Sequence, residues 1–250
     1  MVRRAATERG GLAIAGGCCF SPQMALKRVT KKEAEAIFDA LGAANPDPKT
    51  ELAYHNPFTL LVAVVLSAQA TDAGVNKATK KLFEQVDTPA AMLELGVDGL
   101  KQHIKTIGLY NSKAENVIGL SAALIERFGG KVPESEADLV SLPGVGRKTA
   151  NVVRNEIFGH PTLAVDTHVF RVAHRIGLSE GKTPDAVERD LLKLVPKRWG
   201  RQAHHLLILH GRYLCKARAP ECWRCPIIHL CRYDAKIISP PQGKRAGGIA

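Results

Sequence analysis

Aromatic side chains are scarce in this 250-residue chain, at 5%, and no stretch alternates apolar with polar residues as a half-buried strand does. Both shortages argue against an aromatic-rich β architecture and for tightly packed helices. Long hydrophobic runs are missing too. The longest, Phe58 to Ala70, is too short to span a bilayer, so no membrane association is expected. Acidic residues are outnumbered, 24 against 35 Lys and Arg, which leaves a net charge of +11. Such an excess draws a protein toward polyanions, with nucleic acid the leading partner, although a soluble cationic protein shows the same balance. Cysteines are few, and four of the six fall between Cys215 and Cys231. That crowding is poor spacing for a disulfide network and good spacing for a metal, which points to a reducing compartment.

What is present is helical pattern with legible caps. Thr30 and Glu33 form a capping box ahead of the apolar stripe Ala34, Ile37, Leu41. Asn56 and Pro57 open "FTLLVAVVLSAQA", a segment apolar on nearly every side and therefore expected to be the buried central helix. Helices are also expected from about Thr71 to Val86, after Thr88-Pro89, up to Phe128 before Gly129-Gly130, and after Thr183-Pro184. Apolar content of 45% over this length supports one large domain or two modest ones. Residues 1–23 read as a disordered extension or a weak targeting segment with early arginines, and 239–250 as a solvated tail. No internal repeat is evident.

The stretch "LVSLPGVGRKTANVV" is informative. A helix ends, Pro143-Gly144-Val145-Gly146 turns tightly, and a new helix starts at once: a helix-hairpin-helix. Gly144 and Gly146 are expected to allow positive φ and a close backbone approach, and the free amides of the new helix, beginning near Arg147, suit a DNA phosphate. An ordinary αα-turn has similar composition. Lys148 lies in the first turn, the wrong end of a helix for a cation. Either it contacts phosphate, or it is an amine nucleophile, which must be uncharged to attack carbon. A helix-end dipole of ~0.3–1 kcal/mol is too small to achieve that alone, so burial in a cleft is expected to do most of it. Asp166 in "LAVDTHVFRV" stands where a helix N-cap is needed, and a rigidly held carboxylate near Lys148 can also stabilise positive charge on a sugar.

The cysteines Cys215, Cys222, Cys225 and Cys231 are separated by six, two and five residues. From this pattern alone a [4Fe-4S] cluster and a structural zinc both remain open. The three histidines of "HHLLILH" lack an intervening Glu at metalloprotease spacing and are expected to be packed or solvated.

"LPGVGRKTANVV" with "VDTHVFRV", the Cys-x6-Cys-x2-Cys-x5-Cys set, "LSAQATD" and "IGLYNSKAENV" together resemble the bacterial endonuclease III family from about Lys27 to Ile238. The family comprises DNA glycosylases and AP lyases of the helix-hairpin-helix superfamily. The resemblance implies an all-α fold of two helical domains flanking a DNA-binding cleft. A six-helix barrel would span 50–160, and an iron-sulfur cluster domain would join 24–49 to 161–238. The four cysteines would hold a [4Fe-4S] cluster, mainly structural, in a loop whose Lys216, Arg218 and Arg224 face phosphate. Lys148 would be the nucleophile and Asp166 its electrostatic partner. Gln69 would fill the gap left by an extruded base, Leu109 would wedge into the opposite strand, and Asp72 would line the pocket. By the local pattern alone Leu109 is equally well a core contact. The implied substrate is double-stranded DNA with oxidised pyrimidines or abasic sites, acted on by a bacterial, cytoplasmic monomer; an organellar address in the leader is the alternative location. The competing functions are an adenine glycosylase of the same superfamily, which normally lacks the lysine, and a non-catalytic DNA-binding iron-sulfur protein.

Overall fold

The computed structural model describes residues 28–240. The expected leader 1–23, with Cys18 and Cys19, and residues 241–250 of the tail lie outside the described residues. Within them the chain is helical and contains no strand: α1 (Lys31–Ala44), α2 (Pro57–Leu66), α3 (Asp72–Phe83), α4 (Pro89–Ile104), α5 (Tyr110–Phe128), α6 (Glu136–Val140), α7 (Arg147–Phe158), α8 (Thr167–Ile176), α9 (Pro184–Leu194) and α10 (Ala203–Tyr213). No helix among the described residues is long and apolar enough to cross a membrane.

The helix starts follow from local chemistry. The Thr30 hydroxyl accepts from the Glu33 amide at 3.2 Å while the Glu33 carboxylate accepts from the Thr30 amide at 2.8 Å, so two orphan donors are satisfied at once. Asn56 and Thr59 do the same for α2. Thr88 and Thr183, each followed by proline, cap α4 and α9. Glycines in the left-handed conformation at Gly129, Gly159 and Gly177 stop α5, α7 and α8. One expectation is corrected here. The apolar run from Phe58 does not stay helical through Ala70, because α2 ends at Leu66 and residues 67–70 turn, with Gln69 at φ 54°.

Two buried cores organise these helices. The first draws on residues from Leu52 to Val153, with α2 at its centre and every residue from Phe58 to Leu66 buried. The second unites α1, through Ile37, Phe38 and Leu41, with residues from Leu163 to Ile227 on α8, α9, α10 and the cysteine loop. The N-terminal helix therefore packs against the C-terminal third of the chain. Between its two glycines the helix-hairpin-helix turn buries Val145, and Leu142 just before it, in the first core, which fixes where α7 begins.

Candidate active site

α7 starts at Arg147 with Gly146 as N-cap and no side chain capping it, so first-turn amides are left for an external acceptor. Gly144 adopts φ +74°, and a Cβ there would stand 2.8 Å from Cβ of Asn116, so both conformation and space demand glycine. Gly146 corrects the sequence reading: its φ of −93° is an extended N-cap conformation open to any residue. What it contributes is clearance, since nothing lies within 4 Å of where its Cβ would be.

A cavity of about 880 Å³ opens beside this hairpin and is lined by Gln69, Asp72, Lys148, Asp166, His204 and Arg212, among others. The long-range fold thus brings four of the sequence-selected residues to one space. Lys148 is exposed, so the cleft by itself does not supply the burial that a neutral amine requires; a bound duplex would have to add it. Asp166 caps α8 through one oxygen only. Its Oδ1 accepts from the His168 and Val169 amides at 2.9 and 2.8 Å, and no described residue bonds Oδ2.

Asp72 lines the cavity but is not free in it. Its carboxylate accepts from Nη1 of Arg212 at 2.6 Å, and the same guanidinium pairs with Glu51, which also accepts from the Tyr213 hydroxyl. Burial works to raise the Glu51 carboxyl, but the Tyr213 and Arg212 hydrogen bonds prevail and hold it below the ordinary carboxylate range.

Gln69 and Leu109 share a feature that composition could not reveal. They are the only non-glycine residues with positive φ among the described residues, at 54° and 60°. Such conformations cost on the order of 1 kcal/mol or more and persist where the surroundings impose them. The two loops abut, because a Cβ on Gly108 would lie 4.0 Å from the Gln69 carbonyl oxygen. Leu109 is 59% exposed, which excludes the core-contact alternative. Arg147, counted among the expected DNA-binding residues, pairs here with Glu188 and Glu136.

The histidines of α10 are buried, in keeping with packing. Sequence reasoning did not anticipate that His204 would line the cavity. Burial first, then the positive charges of His205 and Lys148, push its pKa down to about 3, and no described residue partners its Nδ1. Unfolded, the ring protonates near 6.5; folded, it stays neutral down to about 3. Between those values the unfolded state binds a proton that the native state refuses. Stability is therefore expected to be unaffected by this group above pH 7 and to fall by up to about 4 kcal/mol as pH drops from 6.5 to 3. Urea titrations of wild type and His204→Gln across that range check this, the variant having the shallower loss. Parallel losses would show that other groups dominate.

Cys215, Cys222, Cys225 and Cys231 are half-buried and line one small cavity with Ile176, Leu214 and Ile227. Burial, reinforced by the neighbouring cysteines and opposed by a backbone hydrogen bond at Ile227, pushes the Cys225 thiol up to about 11. Burial raises the Cys231 thiol as well, so at these two positions a free thiol keeps its proton and a bound metal that replaces it relieves the conflict. Among the described residues no three His, Cys, Asp or Glu side chains are grouped to hold a single ion. In the same loop Lys216 and Arg224 both pair with Glu221, whereas Arg218 has no ionic partner among the described residues.

Residues 62–197 match the HhH-GPD superfamily of base excision DNA repair proteins. Endonuclease III of Rickettsia felis is 60% identical over 204 residues, covering 81% of this chain and 96% of its own length. Endonuclease III of Escherichia coli is 56% identical over 209 residues, covering 84% and 99%. A trapped endonuclease III–DNA covalent intermediate superposes with a TM-score of 0.77 at 48% identity, covering 82% of this chain and 96% of that one. Extended identity across both cores, and not the hairpin alone, shows that the chain belongs to the HhH-GPD superfamily and, within it, to the endonuclease III family of DNA glycosylases and AP lyases.

Proposed function

We propose that this enzyme excises oxidised pyrimidines from duplex DNA and cleaves the resulting abasic site by β-elimination through a Schiff base on Lys148. The observation that carries the reading is that Lys148, at an uncapped helix start, and Asp166, with one oxygen unbonded, line a single cavity with Gln69. The phosphate backbone docks on the free amides of the hairpin, where Gly144 and Gly146 permit close approach. A damaged nucleotide rotates out of the stack into the cavity at a cost of a few kcal/mol, which the lesion lowers. Gln69 and Leu109, held in strained loops that abut, fill the vacated space and wedge the opposite strand.

The uncharged Lys148 amine attacks C1′. The bond from C1′ to the base breaks with its electron pair leaving on the base, which takes up a proton; the C1′–O4′ bond then breaks as the nitrogen lone pair forms C=N, O4′ takes up the proton lost from nitrogen, and the ring-opened sugar is held as the Schiff base. A proton then leaves C2′, the C3′–O bond breaks, and the 3′ phosphate departs. The Asp166 carboxylate stabilises positive charge on the sugar. The carboxylate of Asp72 acts through Arg212, shaping the pocket wall.

The two cores correspond in this reading to a six-helix domain of residues 50–160 and a domain joining 24–49 to 161–238. The cysteine loop would hold a [4Fe-4S] cluster, a reading supported by membership of the endonuclease III family and by the four cysteines lining one small cavity. When bound, the cluster supplies four metal–thiolate links that stiffen the loop. We place the enzyme in the bacterial cytoplasm as a monomer.

Borohydride trapping on a duplex with one thymine glycol tests the reading: a covalent adduct is expected, and its absence from folded, cluster-loaded protein would overturn it. Asp166→Asn separates capping from catalysis. Asparagine caps about as well, so the melting temperature should stay within about 2 °C, while single-turnover cleavage falls on the order of 10²–10³-fold. Unchanged cleavage would reduce Asp166 to a cap.

A further inference from the structure

α7 has two working faces. Ala150 and Val153 are buried in the first core, whereas Arg147, Asn151 and Asn155 recur every four residues along another face that meets the second half of the chain. This second face is polar, and beyond its exposed first residue Arg147 it is closed: Asn151 is 2% exposed, Asn155 1% and their partner Glu188 6%. Its side-chain bonds leave α7: Arg147 pairs with Glu136 of α6, and the rest cross to segments that follow α7. Arg147 places Nε and Nη2 on the two carboxylate oxygens of Glu188, each at 3.2 Å, in a bidentate fork to α9. One turn on, Asn151 Nδ2 donates to Glu188 Oε1 at 3.1 Å and to the Leu163 carbonyl at 3.4 Å, while the Asn151 carbonyl accepts from the Thr162 hydroxyl at 2.6 Å. A further turn on, Asn155 Nδ2 reaches the carbonyls of His160, Thr162 and Arg201 at 2.9, 3.2 and 3.0 Å.

An apolar interface of the same area would tolerate small sliding. Directional bonds to carbonyls and to a buried carboxylate do not, because a shift of 1 Å would leave buried groups unpaired. Lys148 is the neighbour of Arg147 on α7, and the segment held by Asn151 and Asn155, residues 160–163, leads directly into Asp166. We infer that Arg147, Asn151, Asn155 and Glu188 form a polar brace of positioning residues that sets Lys148 relative to Asp166, and that Arg147 serves this brace and makes no phosphate contact. The inference rests on the assignment of Lys148 and Asp166 above.

Glu188→Gln and Arg147→Met, each in the full-length, cluster-loaded protein, test it. Misplacement on the scale of 1 Å costs up to about 100-fold in rate. Both variants are expected to lose 10- to 100-fold in single-turnover cleavage of an abasic duplex. Duplex affinity and its dependence on salt should match wild type, and amide exchange across residues 160–166 should accelerate at least tenfold. If Arg147→Met instead reduces the salt slope by about one while Glu188→Gln is silent, Arg147 is a phosphate contact and the inference falls. It also falls if exchange across 160–166 stays at the wild-type rate in both variants, or if only melting temperature drops while cleavage is retained. Failure of wild type to form a borohydride adduct would sink the Lys148 assignment, and the exchange rates would still decide the brace. Should Glu188→Gln not fold, Arg147→Met decides alone: a salt slope reduced by about one, or wild-type exchange across 160–166, overturns the inference.

Discussion

Lys148→Gln is expected to lose strand cleavage by a factor of at least about 10⁴ and to give no borohydride adduct, while still binding damaged duplex within about threefold of wild type. Loss of a covalent nucleophile removes the step itself, and such losses reach several orders of magnitude in rate. Binding survives because the docking groups are elsewhere: the amides of α7 are backbone, and Gln69 and Leu109 sit on separate loops. Stability is expected to move the other way. Lys148 is an exposed cation at the positive end of α7, so neutralising it should raise stability slightly, by about 0.3–1 kcal/mol at low salt. A variant that is less active but more stable is the signature of a residue placed for chemistry. Single-turnover cleavage, trapping and thermal melting on the same preparation check all three. Retained cleavage would transfer the nucleophile to another amine, and a drop in melting temperature would mean that Lys148 packs.

Cys222→Ala is expected to cost the fold of the C-terminal loop. Beyond Tyr213, Pro220 and Ile227 are the only fully buried residues among those described, so little apolar surface is available to order residues 215–231. If the four thiolates hold the proposed cluster, removing one takes away metal-binding free energy that is also folding free energy. A loss of at least about 3 kcal/mol corresponds to a drop in melting temperature of about 6–12 °C for a chain of this size. The loss should come with depleted iron and weakened visible absorption from the sulfur-to-iron charge transfer. Because Ile227 belongs to the second core with Ile37 and Leu207, the damage should spread to α1 and α10. Protein that is colourless, iron-free and as stable as wild type would contradict the structural role.

Helix starts were readable before any coordinates because their chemistry spans three or four residues. The Thr30–Glu33 box, the Asn56 cap and the Thr-Pro starts at Thr88 and Thr183 all fall where the sequence places them. Gly144 was readable for the same reason, as a turn position between two helices. Misreadings began where local pattern met distant packing. The apolar character of "LSAQA" suggests continued helix, but α2 stops at Leu66 and Gln69 turns left-handed where it abuts the loop around Gly108. Gly146 shares the sequence signature of Gly144 but is an ordinary extended N-cap.

The sequence by itself determined the all-helical class, the hairpin, the amine at the start of α7, the cap at Asp166 and the four-cysteine loop. Each is written in residues close together in the chain, where hydrogen-bond geometry and spacing leave few alternatives. Tertiary structure alone decided which polar residues would meet. Arg147 finds Glu188 forty-one positions away, Asn155 finds the Arg201 carbonyl forty-six away, and Arg212 finds Asp72 one hundred and forty away. In one sequence a charged residue with a distant partner looks the same as one facing solvent, because the pairing depends on how the two cores are arranged, and that arrangement leaves no local trace.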